Sequence, residues 1–139
     1  MPAMKLSASR KERAKMQIRD IHMMIIPKGC MRPQYQDSRG DYWLDEKGIL
    51  QIRAVEMPNL MHSHYILLHE YMEAVRCYRD GISLESIEKW DALHADSDDP
   101  GSLPGSPYRD HHEDSISLER VACAQDGFKW PEYDDSKPV

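Results

Sequence analysis

Tyr65-Ile66-Leu67-Leu68-His69-Glu70-Tyr71-Met72-Glu73-Ala74-Val75-Arg76-Cys77-Tyr78 is an apolar run that carries one cluster of titratable groups, His-Glu-x-x-Glu. Met61, Tyr65, Leu68, Met72 and Val75 recur at helical spacing, and Leu67, Tyr71, Ala74 and Tyr78 widen their stripe. The spacing predicts a helix over about 60–79, capped by Asn59 and stopped by Gly81. The apolar arc takes up roughly two thirds of the wheel, more than one-sided packing requires. Such a helix is covered on most sides. The remaining arc holds His69, Glu70, Glu73 and Arg76, with Ile66 and Cys77 among them, and either faces water or lines a cleft.

At about 100° per residue, His69 and Glu73 share a face one turn apart, and Glu70 lies about 100° round from His69. In the H-E-x-x-H pattern, residues at i and i+4 hold zinc and the intervening Glu is the general base. Glu73 replaces the second histidine here, and a carboxylate oxygen is a legitimate zinc ligand. The same residues also read as a solvent-facing polar stripe.

Upstream, Gln17–Pro27 ends in a short apolar run and suits a strand, 18–26. Asp41-Tyr42-Trp43-Leu44 and Ile49–Val55 flank an acidic turn ending at Gly48, which predicts strands at 41–45 and 49–55 joined as a hairpin. Downstream, Ser83 caps a shorter helix to about His94, with Ile82 and Ile87 as its staple. Residues 95–105 form an acidic, turn-rich loop. Ser106-Pro107 then reads as the start of a last helix reaching about Gln125.

On that last helix Tyr108, Ser115, Ile116, Leu118, Ala122 and Cys123 share a stripe, with His112 and Glu119 in its middle. Polar groups aimed at a core must be paired. His112 is the candidate third metal ligand, and Glu119 is a ligand or the partner that orients one. The competing reading is a core histidine bonded to a carboxylate. His111 and Asp114 sit nearer the edge of the stripe; His22, His62, His64 and His94 fall at strand, loop or helix ends, which disfavours them as ligands.

The expected architecture is α+β: a short antiparallel sheet of about three strands packed on two longer helices and one shorter one. Residues 1–16 form a basic, mobile arm, 17–128 a single domain and 129–139 an acidic tail, with Trp130 able to dock. Net charge is −6, which argues against a chain-wide nucleic-acid footprint and leaves only the basic arm for such contact. Three widely spaced cysteines without C-x-x-C suggest no disulfide framework and a cytoplasmic setting. The 139 residues contain neither a signal peptide nor an apolar run long enough to span a membrane.

The succession G-D-Y-W-L-D-E-K-G-I-L-Q-I-R, H-E-Y-M-E-A, D-D-P and P-Y-R-D-H-H before L-E-R resembles a group of small uncharacterised bacterial and phage proteins over roughly residues 40–121. The resemblance places His69, Glu70, Glu73, His112 and Glu119-Arg120 at pattern positions, with His111 where an acidic residue is expected. No activity defines that group. The order of strand, H-E-x-x helix and later histidine helix is also similar, more loosely, to the minimal core of zincin metallopeptidases, with Glu73 as the departure. The two together imply zinc held by His69, Glu73 and His112, Glu70 as catalytic base, Glu119 and Arg120 as outer partners, and hydrolysis of amide-type bonds. The alternative is a non-catalytic structural or interaction protein, with the same residues as a buried polar or metal site. Neither substrate nor protein partner is named by the sequence.

Overall fold

The structure is a computed structural model, and it describes residues 18–139. The expected basic arm, 1–16, lies outside the described residues. Three strands, β1 (Ile21–Ile26), β2 (Gly40–Leu44) and β3 (Leu50–Val55), form one sheet in the order β1-β3-β2. Four helices follow: α1 (Leu60–Arg79), α2 (Leu84–Leu93), α3 (Arg109–Gln125) and a short α4 (Trp130–Asp134). The α+β class is as expected.

The sheet, however, is mixed. β2 and β3 form the antiparallel hairpin, but β1 runs parallel to β3, with Ile21 opposite Leu50 and Ile26 opposite Val55. The connection from β1 to β2, residues 27–39, is long enough to carry the chain past the end of the sheet. The hairpin therefore returns β3 into the middle, where both of its edges are paired. Leu50, Ile52 and Ala54 on its inner face are fully buried.

Asn59 caps α1 by accepting from the Met61 amide at 3.0 Å, and Gly81, at φ 74°, lets the chain leave it. Ser83 accepts from the Ser86 amide at 3.1 Å and starts α2. α3 begins two residues later than its sequence suggests, because the Ser106 hydroxyl accepts from the Tyr108 amide and closes a turn first. The tightest helix pairing is α1 on α3, and α1 also covers the sheet, so one helix is wrapped by both layers.

The segment 129–139 is more than a tail. It forms α4, and Tyr133 is 1% exposed, its ring edge-on to His62 at 5.0 Å. Trp130 packs on the core as well, with the Arg120 guanidinium 4.6 Å above it. Among the described residues no helix is long and apolar enough to cross a membrane.

Candidate metal centre

α1 buries part of the arc that its amphipathic pattern marks as polar, together with Tyr65, Leu67, Ala74 and Tyr78 of the apolar stripe. His62, Ile66, His69, Glu73 and Cys77 form one buried line along the helix, while Met61 is exposed. This line faces α3, whose buried residues are Ser115, Glu119 and Cys123. His69 and Glu73 therefore meet His112 and Glu119 between the two helices, each helix offering two groups.

The Glu73 carboxylate is the hub. Its Oε2 accepts from His69 Nε2 and from His112 Nδ1, both at 2.9 Å, and its Oε1 accepts from the Tyr42 hydroxyl at 2.9 Å. The His69 and His112 rings lie 4.9 Å apart, inclined at 71°. Each ring has a second carboxylate on its far nitrogen. His69 Nδ1 donates to Glu119, which also accepts from the Tyr133 hydroxyl. His112 Nε2 donates to Asp99 at 2.8 Å, and Asp99 also accepts from the Ser102 hydroxyl at 2.6 Å. An ionised carboxylate only accepts, so where the three carboxylates are ionised each ring donates from both of its nitrogens.

The charges follow. Burial would lower the His69 pKa, but its hydrogen bonds to Glu119 and Glu73 outweigh it and hold the ring well above its ordinary value. His112 is likewise opposed by burial and raised to about 10 by Asp99 and Glu73. Burial would raise Glu73, yet His112 and His69 pull it down to about 2. Glu70 moves the other way: burial, then the neighbouring Glu73 charge, lift it well above the carboxylate range.

His69, Glu73 and His112 can hold a metal ion. One donor atom from each lies within 4.8 Å of the others. Two donors on one zinc ion at about 2.0–2.2 Å sit roughly 3.4 Å apart in a tetrahedron, so the 2.9 Å pairs need to open by only a few tenths of an ångström. Replacing two ring protons by an ion leaves Glu119 and Asp99 on the far nitrogens, where carboxylates orient metal-binding histidines. The donor set fits a divalent ion that takes nitrogen and oxygen, and does not identify which.

The cluster opens on a cleft of about 1020 Å³ whose walls include Gly40, Tyr42, Glu70, Asp99, Gly101 and Trp130. Two glycines let backbone approach the site. A Cβ on Gly40 would fall 2.5 Å from Glu70 Cγ, and one on Gly101 would fall 2.8 Å from His112 Cγ. Glu70 itself makes no hydrogen bond or ion pair with any described residue.

Arg120, expected beside the cluster, is exposed and stacked on Trp130, with no hydrogen bond to the four central residues. His111 donates to Asp80 at 2.8 Å, outside the cluster. Sequence reasoning missed Asp99, Tyr42, Tyr133 and Ser102. The first lay in a loop read only as acidic and turn-rich, and Tyr133 in a segment assigned to the tail. The chain matches no protein-family model, no curated protein and no solved structure closely enough to be called similar.

Proposed function

We propose that this protein is a zinc-dependent, zincin-like hydrolase of amide-type bonds, with His69, Glu73 and His112 as ligands and Glu70 as general base. The observation that carries the reading is the contrast within one turn of α1. Glu73 is tied down by three hydrogen bonds, whereas Glu70, in the wall of the same cleft, is committed to none. A structural site would engage Glu70 as well. When bound, a divalent ion supplies Lewis acidity. Glu119 and Asp99 fix the two rings, and Tyr42 fixes the ligand carboxylate. Glu70 takes a proton from a water in the cleft and returns it to the leaving nitrogen; burial and the neighbouring Glu73 charge raise its pKa, which makes it a stronger base than a free carboxylate. The resemblance to small bacterial and phage proteins with the H-E-x-x-E-A helix agrees with a site at these positions. Three unpaired cysteines suit a reducing cytoplasm.

One observation favours the non-catalytic alternative: each of the four ring nitrogens of His69 and His112 has a carboxylate partner, so the cluster closes as a complete polar network. Elemental analysis of untagged protein, with melts before and after chelation, separates the two. Stoichiometric zinc and a lower melting temperature after chelation are expected; protein without metal, unaffected by added zinc, would sink the hydrolase reading. Glu70→Gln should then keep zinc and melting temperature while hydrolysis of amide substrates falls about 10²–10⁴-fold.

A further inference from the structure

The two edges of the sheet are finished differently. On β2 the outward Tyr42 carbonyl accepts from Arg32 Nη2 at 3.4 Å. On β1 the ladder is parallel, so alternate residues face β3. The Leu50 amide donates to the Asp20 carbonyl at 2.9 Å and the Glu56 amide to that of Ile26 at 2.8 Å. That parity assigns Asp20, His22, Met24 and Ile26 to β3 and turns the amides and carbonyls of Ile21, Met23 and Ile25 outward. No described residue bonds to these six groups. The strand is Ile-His-Met-Met-Ile-Ile, with Ile21, Met23 and Met24 about two fifths exposed. It has none of the devices that protect edges: no lysine, no proline within the strand, no bulge.

We infer that β1 pairs with β1 of a second copy, joining two three-stranded sheets into one of six strands across a two-fold axis. The free groups dictate the register. Met23 stands opposite its own copy and Ile21 opposite Ile25 of the other chain, so all outward amides and carbonyls are used, in six hydrogen bonds. Closed two-fold symmetry requires the antiparallel sense. The strand carries no formal charge, so self-pairing sets no like charges together. Its ends bear exposed Asp20 and Lys28, and the antiparallel sense brings the acidic residue of each chain toward the basic one of the other. Arg19, beside Asp20, already has an interaction of its own. One short strand buries well under the roughly 800 Å² per partner of a standard interface, so the dimer is weak and concentration-dependent.

Sedimentation velocity on the full chain should show the mass rise from 16.2 kDa toward twice that value as concentration increases. Met23→Pro removes an outward amide while leaving the β3-facing groups of His22 and Met24, and should move the midpoint at least about tenfold upward. Met23→Lys, which sets two charges together at the axis, should do the same and keeps the proposal testable if the proline variant fails to fold. Backbone exchange at Met23 should be slow in concentrated protein and fast on dilution. A mass independent of concentration, a dimer indifferent to both substitutions, or a Met23 amide protected at every concentration would each overturn the pairing.

Discussion

Two arms meet at Glu73 and are built on one plan. His69 leads to Glu119 and then Tyr133; His112 leads to Asp99 and then Ser102. Each is a ring, a carboxylate and a hydroxyl. They differ in burial. The Glu119 side chain is 10% exposed and Tyr133 is 1% exposed, whereas Asp99 is 50% exposed and sits on the loop beside the Pro100–Ser102 turn. The same hydrogen bond is worth more away from water, where the unpaired alternative is costlier. The first arm is held away from water, and the second, half exposed, is the easier to displace. α3 crosses between them, giving His112 to one and Glu119 to the other.

Removing the shared hub should have the largest effect. Glu73→Ala takes away the proposed ligand and leaves two buried rings without their shared carboxylate. Breaking a buried ion pair typically costs about 3–5 kcal/mol, a large part of the stability of a domain this size. Urea unfolding should record that loss, and zinc should no longer bind. A variant as stable as wild type would mean that the rings are not charged.

Protons should act next, and with opposite sign in the two forms of the protein. Without metal, His69 and His112 have pKa values raised above the ordinary 6.5. Their stabilisation is complete below pH 6.5 and is lost as pH climbs toward about 10. Glu73, lowered from 4.5 to about 2, contributes above pH 4.5 and loses its effect as pH falls toward 2. The melting temperature of chelated protein should therefore peak between these limits. With zinc the increment should grow as pH rises through that range, since the ion replaces ring protons. Parallel profiles with and without zinc would count against the site.

Glu119→Gln and Asp99→Asn then compare the arms directly. Both should weaken zinc binding, within the about 10–100-fold range seen for partners of metal-bound histidines. Only Glu119→Gln should also lower stability appreciably, by about 1.5–3 kcal/mol for a buried charged hydrogen bond. Asp99 is half exposed, so its substitution should cost no more than about 1 kcal/mol. Equal losses in chemical denaturation would erase the distinction.

Much of the frame is legible without coordinates. Helix-cap chemistry at Asn59 and Ser83, the acidic turn ending at Gly48 and the glycine stop at 81 locate most elements. His69, Glu73 and His112 follow from helical spacing. The orientation of α1 does not: Met61 and Leu68 outscore His69 and Glu73 on any apolar scale, yet Met61 is the one left in water. Ile66 and Cys77, two apolar residues stranded in the polar arc, were the available sign that this arc faces inward. The parallel pairing of β1 depends on where a 13-residue connection crosses, which no local pattern encodes. Asp99 and Tyr133 are long-range partners from a loop and a terminal segment, regions whose composition speaks only of turns and solvent.

The finest test of the comparison takes the last atom from each arm. Tyr133→Phe deletes a hydroxyl from a side chain whose ring stays packed between His62 and Trp130, at 5.0 and 5.3 Å. Nothing else changes shape, so the cost is one buried hydrogen bond, about 0.5–1.5 kcal/mol. In a chain of this length that is a fall of a few degrees in melting temperature. Glu119 keeps its bond to His69, so zinc affinity should shift less than tenfold. Ser102→Ala deletes the matching hydroxyl beside Asp99, where water can take its place, and should leave both quantities within error. The difference between the two melts isolates the effect of burial on the same contact. If Ser102→Ala cost as much as Tyr133→Phe, the His112 arm would be as rigid as its counterpart, and access to the centre would have to lie elsewhere in the cleft.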